Sequence, residues 1–256
     1  LAFDPASGRL CALKEYFPRA WAVRDNATNS LMPTTEGQQE VYRHGRDVFI
    51  NEAKILQGLY ANPHVVNVLD FFYDNKTAYM VMEYIQGQTI NDYMKKKKHT
   101  VSIRMANQML REIGEALEQI HQNMLLHRDI SPDNIMITPN GQFKLIDFGA
   151  TRTYALSNPL SMSIFVKPGF APIEQYSRTG HQGPWTDIYA LCATYYYMVT
   201  GEKPPSAPDR QNGIRRTPLA TENSLSRWNT PTLAVLSKWV PQNVACGKTT
   251  ENARRQ

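Results

Sequence analysis

Cysteine is scarce in this chain, with three among 256 residues, at positions 11, 192 and 246. An odd and widely spaced set excludes a disulfide-stapled scaffold and suits a reducing compartment, so a cytoplasmic location is expected. Long apolar runs are missing too. The longest, Ile188 to Val199, falls well short of the roughly 20 residues a bilayer-spanning helix needs. Charge is nearly balanced, 28 basic against 23 acidic side chains for a formal net of +5. That leaves little field for a nucleic acid or a membrane surface, and the run Lys95 to Lys98 reads as a solvated helix end or loop. No internal repeat, collagen-like period, heptad pattern or low-complexity domain is present. Leu1 is not an initiator Met and no signal peptide is visible, so the chain is expected to be a piece whose true start lies upstream. What remains is an ordinary globular composition, 42% hydrophobic.

About the first ninety residues are strand-rich with one helix. Leu10, Ala12 and Lys14 alternate with Cys11 and Leu13 after the turn-like Pro5-Ala-Ser-Gly8, predicting a hairpin strand with Lys14 at its inner end. Glu15 to Gln39 is aperiodic and rich in Asn, Thr, Pro and Gly, the composition of a loop or inserted subelement. Phe49, Ile50, Ala53, Leu56 and Leu59 recur at helical spacing and put Glu52 on or near the apolar face. Val65 to Tyr73 and Thr77 to Tyr84 flank Asp74-Asn75-Lys76, a hairpin signal. After Gly87 helices take over. Ser102 can cap a helix carrying Ile103, Ala106, Leu110, Ile113, Leu117 and Ile120. Short strands Ile135–Ile137 and Phe143–Ile146 follow, joined by Pro139-Asn140-Gly141, and Asp187 precedes a helix that is apolar nearly all round.

Two segments carry chemistry: His127-Arg128-Asp129-Ile130-Ser131-Pro132-Asp133-Asn134, and Asp147-Phe148-Gly149. An Asp, an Asn five residues on and another Asp on a neighbouring hairpin form an oxygen-rich cluster suited to Mg²⁺. Alone the cluster is weak, because Asp and Asn also make turns and caps. In order and spacing the two segments resemble the catalytic loop and the metal motif of the protein kinase family. Cys11-Ala12-Leu13-Lys14 resembles the strand bearing that family's ATP-anchoring lysine, with Glu52 as its helix partner. Val81-Met82-Glu83-Tyr84-Ile85 resembles the hinge, and Phe170-Ala171-Pro172-Ile173-Glu174 the end of the activation segment. Asp187-Ile-Tyr-Ala-Leu and Thr200-Gly-Glu-Lys-Pro204 resemble the buried helix beyond it and its exit. The resemblance covers roughly Leu1 to Pro205, and Ser-Pro-Asp-Asn is most like bacterial serine/threonine kinases of the eukaryotic type.

The resemblance implies an α+β, bilobal kinase-like fold. Residues 1–85 would form a small strand-rich lobe and hinge, with an insert at about 15–45; residues 86–205 would form a mainly helical lobe with its activation segment at 147–174. Residues 206–256 would be the remainder of that lobe or a divergent tail. The family's first strand and glycine-rich phosphate loop are expected upstream of Leu1. The implied activity is ATP-dependent phosphoryl transfer to Ser or Thr hydroxyls of a protein, with ATP and Mg²⁺, or Mn²⁺, as cofactors. Asp129 would accept or orient the hydroxyl proton, Lys14 would hold the α/β-phosphates beside Glu52, and Asn134 and Asp147 would hold the metal. Ala12, Met82, Met136 and the backbone of Glu83 and Ile85 would surround the adenine. His127 and Phe148 read as packing residues, stacked with Leu56 and Val68. A pseudokinase or nucleotide-binding scaffold is the alternative; a small-molecule phosphotransferase fits Arg128 and the Ala-Pro-Ile-Glu segment less well. Self-association for autophosphorylation is implied, no nucleic-acid partner is, and a membrane anchor could lie only outside this chain.

Some positions depart from the family. Ser131 stands where a lysine is usual, and counting back from Glu174 puts Lys167 where a threonine is usual. A reciprocal exchange is expected, Lys167 supplying the ammonium and Ser131 the hydroxyl; an exposed Lys167 unrelated to catalysis is the alternative. Ile173 replaces a proline, and no arginine is an evident partner for Glu174, with Arg227, Arg254 and Arg255 as candidates. Arg128 would read a phosphate on Thr151, Thr153, Ser157, Ser161 or Ser163, the last two being favoured.

Overall fold

The structure is a computed structural model and describes residues 1–59, 62–97, 101–149, 151–153, 166–177 and 179–213. Cys246, Lys98, Ser157, Ser161, Ser163, Arg227, Arg254 and Arg255 lie outside the described residues, as do the side chains of Arg152 and Thr153.

Strands β1 (Ala2–Asp4) and β2 (Arg9–Glu15) form the expected hairpin. Its turn is built by Asp4, whose carboxylate accepts from the Ala6 N–H at 3.0 Å and the Ser7 hydroxyl at 2.6 Å, while Gly8 supplies φ +67. After the insert and helix α1 (Gln39–Gln57), β5 (Val68–Asp74) and β6 (Thr77–Glu83) complete an antiparallel sheet in the order β1-β2-β6-β5. Asn75 and Lys76 turn the β5–β6 hairpin with φ +48 and +59, the doubly left-handed turn whose twist matches that of its strands. Helix α1 packs on β5 and β6 through Phe49, Ile50, Ala53 and Leu56.

Of the two forms expected for the insert, it takes the folded subelement, and it ends before 45. It folds as β3 (Ala22–Arg24) and β4 (Leu31–Pro33), then a 3₁₀ turn at Glu36–Gln38, and residues 39–45 already belong to α1. Ala22 and Leu31 pack on Tyr42 of α1, with Tyr16 and Trp21 around it. The first turns of α1 were illegible in sequence because Tyr42 is their one buried side chain. A Cβ on Gly45 would lie 2.0 Å from the Tyr16 hydroxyl, so this helix glycine is the groove in which Tyr16 rests.

A single core cluster continues from the sheet into the helical part. After β7 (Gln88–Thr89) come α2 (Ile90–Lys96) and α3 (Ile103–Gln122), the latter capped by the Ser102 hydroxyl accepting from the Met105 N–H at 3.2 Å. Lys95 and Lys96 end α2 exposed, favourably placed at the negative pole of its dipole. Strand β8 (Leu125–Leu126) pairs with β11 (Arg152–Thr153), and β9 (Ile135–Ile137) lies between β7 and β10 (Phe143–Leu145). Helix α4 (Pro184–Thr200) starts earlier than its apolar run, ends at Gly201 with φ +76, and packs on α3. A short α5 (Ala207–Gln211), capped by Ser206, closes the described chain. No helix among the described residues is long and apolar enough to cross a membrane.

Candidate active site

Alternation along β2 puts Ala12 and Lys14 on one face, and the register sets Ala12 against Met82 and Lys14 against Met80. The Lys14 ammonium reaches 2.7 Å from Asp147 Oδ1 and 4.0 Å from Glu52 Oε1. Its tight partner is therefore the carboxylate, with Glu52 at the outer limit of an ion pair. Asp147 sits at φ +58, in the left-handed region, and accepts from the Gly149 N–H at 3.2 Å. A Cβ on Gly149 would come within 3.1 Å of Lys14 Nζ and 3.3 Å of Asp147 Oδ1, so a side chain there would crowd the pair. Burial pushes the Asp147 carboxyl up, but the Lys14 charge and hydrogen bond and the Gly149 N–H outweigh it and hold the group below its ordinary value.

The opposite wall is the loop 127–134, held from beneath by α4. Asp187, wholly buried, accepts from the His127 N–H at 2.9 Å and the Arg128 N–H at 2.7 Å, and its Oδ2 lies 2.9 Å from His121 Nε2. Gln175 donates to the Arg128 carbonyl at 2.8 Å, and Arg128 bends the chain with φ +68. Above this floor Asn134 Nδ2 donates to Asp129 Oδ2 at 2.7 Å and to the Asp129 carbonyl at 2.8 Å. Burial raises the Asp129 carboxyl above its ordinary value, against the opposing pull of the Lys167 charge and the Asn134 amide. The His127 ring lies 4.6 Å from that of Phe148, and Phe148, Leu56 and Val68 belong to one core, as the sequence reading expected. Burial drives the His127 imidazole below its ordinary value, against the nearby Asp187, Asp129 and Asp147 charges.

Among the described residues no group of three or more His, Cys, Asp or Glu is gathered to hold a metal by itself. The chemistry of the donor set still fits Mg²⁺. Because its amide nitrogen is committed to Asp129, Asn134 has its Oδ1 to offer, and Asp147 has the oxygen that Lys14 does not take. Two protein oxygens suit an ion that keeps several waters and is otherwise bound through substrate phosphates.

Other sequence-predicted residues fall as follows. The Glu83 N–H donates to the Asn67 carbonyl at 2.9 Å, and Ile85 packs on the core. The Glu83 side chain accepts from the Asn67 N–H at 2.8 Å and pairs with Lys144, so it clamps the end of β6 onto β10. Met136, opposite Thr89 and Lys144 in the ladder, lies beneath the segment after β6, its methyl 3.5 Å from a Cβ placed on Gly87. Lys167 Nζ donates to Ser131 Oγ at 2.9 Å and pairs with Asp133 at 2.5 Å, so the Lys167 and Ser131 side chains meet. Glu174 accepts from the Thr186 hydroxyl of α4 at 2.9 Å, and its candidate arginines lie outside the described residues. Arg128 Nε donates to Gln182 at 2.7 Å. Of the candidate phosphate acceptors, the Thr151 hydroxyl is buried. Asp187 was seen in sequence only as the start of a helix; the available signal was one carboxylate at the head of an otherwise apolar segment.

A lysine–carboxylate pair and an Asp–Asn pair thus stand near one another on an α+β scaffold. The sequence model described as "Protein kinase domain" matches residues 23–241, so the chain belongs to the protein kinase family. Lys14 precedes the matched span and is tied to the site by its contact with Asp147. Probable serine/threonine-protein kinase CPE1738 of Clostridium perfringens is 34% identical over 183 residues, covering 70% of this chain and 25% of that protein. Serine/threonine-protein kinase PknA of Mycobacterium tuberculosis is 36% identical over 132 residues, 51% of this chain and 30% of its own. This chain thus spans about a quarter to a third of the curated relatives it matches. Among solved structures, the apo form of PpkA-294 superposes with a TM-score of 0.71 at 33% identity, covering 91% of this chain and 83% of that one. The domain is of the serine/threonine protein kinase type, with eukaryotic-type bacterial relatives, and that family uses ATP and a divalent metal.

Proposed function

We propose that this chain transfers the γ-phosphoryl group of ATP, with Mg²⁺, to Ser or Thr hydroxyls of protein substrates. The reading rests above all on the convergence of Lys14 with Asp147 at 2.7 Å and of Asp129 with Asn134 at 2.7 Å. Asp129 takes the proton of the acceptor hydroxyl as its oxygen bonds to phosphorus and the bond from phosphorus to the β,γ-bridging oxygen breaks. Lys14 orients the α/β-phosphates, and Asn134 and Asp147 hold the metal, which neutralises phosphate charge when bound; Mn²⁺ suits the same oxygens. Ala12, Met82 and Met136 border the adenine, with the Glu83 carbonyl and Ile85 N–H as its hydrogen-bonding edge. Residues 1–85 act as the nucleotide-clasping lobe and 86–205 as the acceptor-binding lobe. The scarcity of cysteine fits cytoplasmic work, and a second copy of the chain is an acceptor for autophosphorylation.

The test is Mg²⁺-dependent transfer of labelled γ-phosphate to a generic protein acceptor by the full-length protein. Asp129→Asn should lower kcat by about 100-fold or more while leaving ATP binding intact. Nucleotide binding without any transfer by the wild type would instead make the protein a scaffold.

A further inference from the structure

Phosphoryl transfer spreads developing negative charge over the oxygens of the transferring group, so a cation aimed at them stabilises the transition state more than the bound substrate. The cations near the loop 127–134 are engaged differently. Lys14 is 2.7 Å from Asp147, on the nucleotide-holding wall, and Arg128 is buried with its Nε turned to Gln182. The loop position two residues after Asp129 holds Ser131, fully buried and neutral. Lys167 fills that gap from another part of the chain. Its Nζ donates to Ser131 Oγ at 2.9 Å, its side chain keeps 32% of its surface accessible, and its charge acts on the Asp129 carboxylate.

The segment that carries Lys167 is fixed. The Lys167 carbonyl accepts from the Phe170 and Ala171 N–H groups, both at 3.0 Å. Gly169 makes the turn at φ +92, where a Cβ would lie 2.6 Å from the Pro204 carbonyl, and Phe170 meets Tyr197 of α4 edge-on at 6.0 Å. Asp133, the ammonium's other partner, is itself held by Asn91 at 2.5 Å. The lysine is therefore anchored at its backbone and guided at its tip.

We propose that Lys167 is a catalytic cation, contacting the transferring phosphoryl group, and that Ser131 is its positioning residue. This rests on the phosphotransferase reading above. The consequence is regulatory: the charge arrives with the segment 166–171, so the site is complete only when that turn is seated against Pro204 and α4.

In the full-length protein, Lys167→Met should lower kcat about 100-fold and raise KM for ATP by no more than about tenfold. A second readout needs no turnover. Lys167→Met should lose the wild-type preference for the non-hydrolysable triphosphate AMP-PNP over ADP, by about tenfold in the ratio of affinities, with ADP affinity unchanged. The reciprocal variant Ser131→Lys/Lys167→Thr should regain kcat to within about tenfold of wild type. A folded Lys167→Met with wild-type kcat and an unaltered AMP-PNP to ADP ratio would overturn the assignment. Should that variant fail to fold, the reciprocal variant decides: recovery supports the exchange, and a folded, inactive protein refutes it. Absence of transfer by the wild type would sink the kinase reading instead, with the affinity ratio still judging Lys167.

Discussion

Two aspartates face each other across the cleft with opposite electrostatic fates. Asp129 is raised by burial, whereas Asp147, also penalised by burial, is pulled down by the Lys14 ammonium and the Gly149 N–H. Environments that push like groups apart separate a proton acceptor from a permanent anion suited to a metal. In the proposed mechanism Asp129 works as a carboxylate, so kcat/KM should rise with pH through a limb that lies above the ordinary aspartate value of 3.8. Removing the Lys167 charge takes away a lowering influence, and a pH–rate profile of Lys167→Met should show that limb at still higher pH. An acid limb that stays put would mean the two groups do not communicate. Asp147→Asn should abolish metal-dependent nucleotide binding, measured by calorimetry with and without Mg²⁺, and release Lys14 from its 2.7 Å partner.

At the scale of elements, the site is a set of clamps between segments remote in sequence. The head of α4 holds the loop 127–134 through Asp187, and also holds Glu174 through Thr186. Asp187→Ala would strand two buried N–H donors, each costing about 1–3 kcal/mol, so chemical denaturation should register a loss of about 2–6 kcal/mol. Gly169→Ala tests a different clamp. Its Cβ would press on the Pro204 carbonyl from a left-handed backbone, so the turn must shift and carry Lys167 with it. Turnover should fall more than nucleotide affinity; wild-type turnover would show that this turn tolerates displacement.

At the scale of the whole molecule, one core joins the sheet to the helices, and its seam is short. The Val66 N–H donates to the Leu145 carbonyl at 3.0 Å and the Leu145 N–H to the His64 carbonyl at 2.8 Å. His127 stands at this seam against Phe148, buried and held below the ordinary histidine value of 6.5. A group whose folded value is depressed binds more protons when unfolded. Its contribution is therefore full above 6.5 and lost as pH falls toward the folded value. Urea unfolding should give a smaller free energy at mildly acidic pH than at neutral pH, and a flat dependence would mean that His127 is not buried neutral.

The sequence by itself determined what is written in local order. Turns, caps and motif spacing act over a few residues, so the Asn75-Lys76 hairpin, the Ser102 cap, the loop 127–134 and Asp147 were all legible. Even the pairing of Lys167 with Ser131 could be anticipated by counting within motifs. Only the tertiary structure decided which side chains bear on one another across long separations. Asp187 lies 59 residues from Arg128, Lys144 lies 61 from Glu83, and Lys14 lies 133 from Asp147. Nor could periodicity reveal the first turns of α1, since the face they bury exists only because the β3–β4 hairpin folds back onto Tyr42. The physical reason is the range of the forces: propensity and hydrogen-bonded turns are set by chain neighbours, while the partner of a buried charge is set by whatever the collapsed core brings within about 3 Å of it.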